Sequence, residues 1–139
     1  MTLVVLDASA AVRMVVGPAP AAIAQELRTA QRVIAPALIQ EEVANALWKY
    51  VRADVLTPDQ AGERLTAALN LCDELLADTT VAPNSVITEA FHEACRQRHP
   101  VYDMVYLVTA RRYSATLATC DQELARLASA CGVAFTTSS

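Results

Sequence analysis

The sequence predicts an α/β fold, a three-layer α/β/α sandwich with a mainly parallel sheet of about five strands. Two observations predict it. Short β-branched and aliphatic runs, beginning with Leu3-Val4-Val5-Leu6, are apolar on both sides of the strand alternation, as strands buried on both faces of a parallel sheet must be. Between them lie stretches with three- and four-residue apolar spacing, long enough for the helical crossovers that parallel strands require. With 139 residues, 54% apolar and 19% charged, the chain is expected to form a single domain over 1–139 with a real core.

The first strand stops at Asp7, where Ala8-Ser9-Ala10-Ala11-Val12 starts a helix. Ala19 to Gln31 predicts a second helix, its prolines suited to a first turn, ahead of the strand Val33-Ile34-Ala35. Pro36 is expected to open a helix through Arg52, with Leu38, Ile39, Val43, Leu47 and Val51 on one stripe and Glu42, Asn45 and Lys49 on another face. Thr57 caps and Pro58 begins a helix to about Ala77. Thr80-Val81-Ala82 predicts a weak strand that Pro83 ends, and Asn84 or Ser85 caps a helix through about Arg98. Pro100 must follow that helix, because its ring and missing N–H break a helix interior. Asp103, after Val101-Tyr102, opens the apolar run Met104 to Ala110, which Arg111-Arg112 finish. Thr116–Thr119 is the fourth strand and Asp121 follows it. Gln122 to Cys131 is a final amphipathic helix closed by Gly132, and Val133–Phe135 is the last strand.

Several function classes are disfavoured at this level. The four cysteines, Cys72, Cys95, Cys120 and Cys131, form no C-x-x-C pair and read as buried thiols of a cytoplasmic protein. The apolar N-terminus has no basic leader, carries Asp7 and Arg13, and is punctuated by Gly17, Pro18 and Pro20, so neither an export signal nor a membrane span is expected. Ser9 has no histidine in a triad arrangement, and His92 and His99 read as solvated or capping residues. A net charge of −4 weighs against a nucleic-acid binder, although two bound divalent cations would cancel it.

Asp7, Glu42, Asp103 and Asp121 stand out because their neighbours are apolar or small. Asp7 and Asp121 terminate strands, which in a parallel sheet places them along one edge, although each also suits a helix N-cap. Carboxylates gathered there repel one another unless a cation neutralises them. An all-oxygen donor set favours a hard ion, Mg²⁺ or Mn²⁺, over zinc.

Four blocks carry a family resemblance: Val4-Val5-Leu6-Asp7-Ala8-Ser9; Pro36 with Glu42-Val43-Ala44-Asn45-Ala46-Leu47; Tyr102-Asp103-Met104-Val105-Tyr106-Leu107; and Leu117-Ala118-Thr119-Cys120-Asp121. In this order, with the acidic residues 35, 61 and 18 apart, they resemble the signature blocks of PIN-domain proteins, and most closely the VapC-type toxins of toxin–antitoxin pairs. The resemblance implies an endoribonuclease that hydrolyses RNA phosphodiesters with a Mg²⁺- or Mn²⁺-activated water, held by Asp7, Glu42, Asp103 and Asp121. It gives Ser9, Asn45 and Thr119 supporting positions beside the metal, and it implies a cognate antitoxin and a homodimer. Lys49 shares a helical face with Glu42 and Asn45 and is a candidate phosphate contact. Met104-Val105 departs from the small residues usual there, and seven aromatics leave few platforms for stacking bases.

Two other readings are weighed. A phosphotransfer domain would want a second aspartate at Ser9, or a lysine beside Thr119-Cys120-Asp121. A catalytically inactive PIN-like scaffold binding RNA or protein would be expected to lack some of the four acidic positions.

Overall fold

The strand predicted first lies at the middle of the sheet. A computed structural model of the chain describes residues 2–80 and 82–138, with residues 77–80 described by their backbone alone. β1 (Leu3–Leu6) is followed by α1 (Ala8–Val15), α2 (Ala21–Thr29), β2 (Arg32–Pro36), α3 (Ile39–Arg52), α4 (Pro58–Leu75) and β3 (Leu76–Thr80). α5 (Asn84–Gln97), α6 (Val101–Arg112), β4 (Thr116–Ala118), α7 (Gln122–Ala130) and β5 (Phe135–Thr136) complete the order. The five strands are parallel throughout and run β3-β2-β1-β4-β5 across the sheet.

Val4, Val5 and Leu6 are each fully buried, and consecutive strand residues point to opposite faces, so both faces of the sheet are covered. α6 packs on β1, β2 and β4 and on α5, while α1 packs on α3 and α4. Every residue of α6 from Met104 to Ala110 is buried, as a helix with apolar residues all round must be.

The strand order decides where a site can form. The chain builds outward from β1 through β2 to β3, then returns to the other side of β1 with β4 and β5. At such a reversal the connections leave the two central strands in opposite directions, opening a crevice at their carboxyl ends. β1 and β4 are paired with Leu6 opposite Ala118, and the Asp7 N–H donates to the Ala118 carbonyl at 3.1 Å. The residues that follow these two strands are therefore neighbours.

Several boundaries differ from the sequence expectation. Pro36 ends β2 and does not open a helix; α3 begins at Ile39. The β1 register on β2 stops at Ile34, so the missing N–H of Pro36 breaks no bond to β1. α4 stops at Leu75, before Ala77, because Leu76 already pairs with Val33 of β2. The expected strand Thr80–Ala82 thus lies earlier, at Leu76–Thr80, and Val81 falls outside the described residues. Pro83, without a side-chain bond, occupies the cap position expected of Asn84 or Ser85. α6 begins at Val101 behind Pro100, which puts Asp103 inside its first turn. The Thr57 cap and Pro58 start of α4 are found, with Gln60 completing a capping box. Of the four free cysteines only Cys72 is buried; Cys120 and Cys131 are half-buried and Cys95 is exposed, since each lies at the edge of its apolar stretch. No helix among the described residues is long and apolar enough to cross a membrane.

Candidate active site

Asp7 leaves β1 and caps α1, and one of the bonds it accepts, from Thr119, ties the two central strand ends together. Its Oδ1 accepts from the Ala10 N–H at 2.9 Å and from the Ser9 hydroxyl at 2.7 Å, and its Oδ2 accepts from the Thr119 hydroxyl at 2.5 Å. Ser9 Oγ in turn accepts from the Cys120 N–H at 2.9 Å, and Thr119 Oγ1 from the Asp121 N–H at 3.0 Å. Ser9 and Thr119 therefore brace Asp7 and hold the start of α7 against the start of α1. Burial pushes the Asp7 carboxyl up to about 6; the bonds from Thr119, Ala10 and Ser9 oppose that rise and the nearby charge of Asp103 adds to it.

Asp121 follows β4 and caps α7, accepting from the Glu123 and Leu124 N–H groups at 3.0 and 3.2 Å. Capping and convergence thus coexist in Asp7 and Asp121: a helix start at a strand end is what aims each carboxylate at the crevice. Glu42 projects from the first turns of α3. Burial pushes it up to about 7; the Tyr106 hydroxyl beside it works against the rise, Asp103 and Asp7 add to it, and Lys49 offsets part of it. Glu42 Oε1 and Tyr106 Oη are both buried and neither closes a hydrogen bond of ordinary geometry, although the two side chains adjoin.

Asp103 stands in the first turn of α6, one turn before Tyr106, and its Oδ2 lies 2.6 Å from His99 Nε2. His99, which the sequence suggests is solvated or capping, is a direct partner of a candidate site residue. The signal was available: His99 and Asp103 are four apart across the Pro100 corner. The apolar neighbours of Tyr106 mark it in the sequence as core only, which it also is, at 1% exposure.

Asp7, Glu42, Asp103 and Asp121 all line one cavity of about 140 Å³, together with Ser9, Asn45, Lys49 and Tyr106. Thr119 does not line it and acts through Asp7. Lys49 is the one cation on the cavity wall among the described residues. Also among these residues, no three acidic, histidine or cysteine side chains stand close enough together to cage an ion directly. The donor set nevertheless suits a hard cation. All its atoms are oxygen, one buried carboxylate oxygen has no partner, and magnesium commonly keeps several of its waters while binding only one or two carboxylates. The Arg111-Arg112 pair lies away from this cavity, bound to Glu89 and Glu93.

A family model described as PIN domain matches residues 4–130. Among curated proteins the chain is 32% identical over 102 residues to Ribonuclease VapC3 of Pyrobaculum aerophilum, covering 73% of this chain and 71% of that one. Among solved structures, PAE2754 from Pyrobaculum aerophilum aligns with a TM-score of 0.63 over 91% of this chain and 84% of that chain, at 22% identity, a likeness of fold.

Proposed function

Because the chain belongs to the PIN-domain family and is VapC-like within it, we propose that it is a Mg²⁺- or Mn²⁺-dependent endoribonuclease, the toxin of a toxin–antitoxin pair. In this reading residues 1–139 form one PIN-like domain acting in the cytoplasm. The observation that carries the chemistry is the convergence of Asp7, Glu42, Asp103 and Asp121, from four separated stretches of chain, on one cavity with a single lysine. Like charges so placed repel one another and are stabilised when a cation arrives, and Asp7 and Glu42 carry raised pKa values.

The ion, when bound, supplies Lewis acidity and lowers the pKa of an attacking water. The chain's own residues do the rest. One or two of the four carboxylates would hold the ion directly, and the others would hold it through its waters. Ser9 and Thr119 fix both oxygens of Asp7, His99 fixes one oxygen of Asp103, and Asn45 presents an amide to the same cavity. Lys49 places a positive charge on the cavity wall, suited to a phosphate of the strand. An apolar groove of about 310 Å³ beside the site, lined by residues such as Leu38, Ile87, Val101 and Tyr102, supports the expectation of a protein partner, a cognate antitoxin or a second copy of the chain.

The test is cleavage of single-stranded RNA in Mn²⁺ by the wild-type protein and by Asp103→Asn. Wild type cleaves and is stopped by EDTA, and the variant loses roughly a hundredfold or more of the rate. RNA bound but left uncut by the wild type would favour the inactive-scaffold reading. Cleavage that survives both Asp103→Asn and EDTA would exclude the acidic cavity as the seat of the reaction.

A further inference from the structure

A second groove, of about 300 Å³, opens beside the acidic cavity and shares Ser9, Ala46 and Lys49 with it. Its far wall brings in Arg13 from α1 and Tyr50 from α3. The volume stands at the lower end of the ~300–1,000 Å³ of pockets that seat small molecules. The cations of this groove differ in state from those of the larger cavity against α5, where Arg96 and Arg111 are both engaged by Glu93. Among the described residues neither Arg13 nor Lys49 has a carboxylate within salt-bridge distance.

In a chain of net charge −4, two unpaired cations lining one groove that runs into a wall of carboxylates form an ordered field. Such a field repels a polyanion at the acidic cavity until a metal ion binds, and attracts it alongside. We infer that the groove between Arg13 and Lys49 seats a backbone phosphate of the RNA strand next to the bond presented to the acidic cavity. Tyr50, half-buried and lining the same groove, supplies an aromatic ring against which a sugar or base packs. The groove thus fixes the side on which the strand enters, through charge and not through base edges, so it binds single strands with little regard to sequence. This inference rests on the ribonuclease reading.

The experiment is fluorescence anisotropy of an end-labelled single-stranded RNA, in Mg²⁺, on the Asp103→Asn background so that the probe is not cut. The variants are Arg13→Gln, Arg13→Lys, Lys49→Gln and Arg32→Gln. Arg32 is an exposed control at the amino end of β2, the opposite edge of the sheet. A lost phosphate contact lowers the magnitude of the log K against log[salt] slope by ~0.7, which is about fivefold in affinity at ~0.1 M salt. Arg13→Gln and Lys49→Gln are expected to show that change, and Arg13→Lys and Arg32→Gln to keep the parent slope. Arg13→Gln binding like Arg13→Lys, or like Arg32→Gln, overturns the inference while leaving cleavage by the wild type intact. Absence of both RNA binding and wild-type cleavage overturns instead the ribonuclease reading beneath it.

Discussion

Glu93 and Glu42 both sit on helices with a carboxylate oxygen out of reach of water, and the fold treats them in opposite ways. Glu93, 2% exposed on α5, is gripped by Arg96 from its own helix, by Arg111 from α6 at 3.4 Å and by the Cys131 thiol at 3.2 Å. Glu42, across the molecule, shares its cavity with three further carboxylates and one lysine, and its Oε1 has no partner. A buried carboxylate supplied with arginines is finished by folding alone. One left among its own kind is finished only by something from solution. Size does not separate them: the cavity beside Glu93 is the larger, about 620 Å³, and its charges are already matched. The unmatched cluster is the one that reads as a site.

The largest effect expected from this contrast is on stability at the matched cluster. Replacing Arg96 and Arg111 together by alanine leaves Glu93 buried and uncompensated and should cost about 3–5 kcal/mol in urea unfolding. A loss below ~1 kcal/mol would mean that Glu93 is held by Cys131 and packing, and the contrast would weaken.

Next comes the pH dependence of the unmatched cluster. The folded-state pKa of Asp7, about 6, stands above its ordinary 3.8, so its protonated form favours the folded protein. That contribution is whole below pH ~4 and is lost as pH rises through 6, amounting to ~3 kcal/mol by pH 8. Glu42, raised to about 7, drifts the same way and extends the window upward. Unfolding at pH 4, 6 and 8 should therefore show the metal-free protein weakening with pH, and saturating Mn²⁺ should remove most of the slope. A metal-free protein that gains stability over that range would contradict the burial of an unmatched charge.

A smaller effect is expected at Asp103. His99→Ala frees the oxygen that His99 now holds, and should weaken Mn²⁺ binding about tenfold in a calorimetric titration. His99→Gln, which keeps a hydrogen-bonding group, should recover part of the loss. Unchanged affinity in both would make the pair a brace of the α5–α6 corner only. The smallest is a gain: Glu42→Gln removes one of the repelling charges and should raise the metal-free melting temperature by a few degrees at pH 8 while abolishing the Mn²⁺-induced rise.

Much of the candidate site was legible because its acidic residues break local patterns. Asp7 and Asp121 each end an apolar strand and start a helix, and both features are written in adjacent residues. Glu42 heads the run Val43-Ala44-Asn45-Ala46-Leu47, and Asp103 heads an otherwise apolar helix. Tyr106 sits in a core run and looks ordinary until its hydroxyl comes beside Glu42, whereas the four-residue spacing of His99 and Asp103 is already in the sequence. Ser9 and Thr119 were placed near the metal by resemblance, and the geometry gives them a narrower job, bracing Asp7 from the ends of two strands.

What the chain by itself determined is local in origin. Continuous apolar runs, helical stripes, and the Thr57-Pro58 start are set by neighbours within a few residues, so the α/β class and the element order could be read directly. The lateral order β3-β2-β1-β4-β5, the early start of β3 and the pairing of Arg111 with Glu93 belong to the tertiary structure alone. Those depend on which distant segments reach one another when both faces of β1 are buried. That same burial sets Asp7 beside Thr119, 112 residues away, and turns four scattered carboxylates into one cavity.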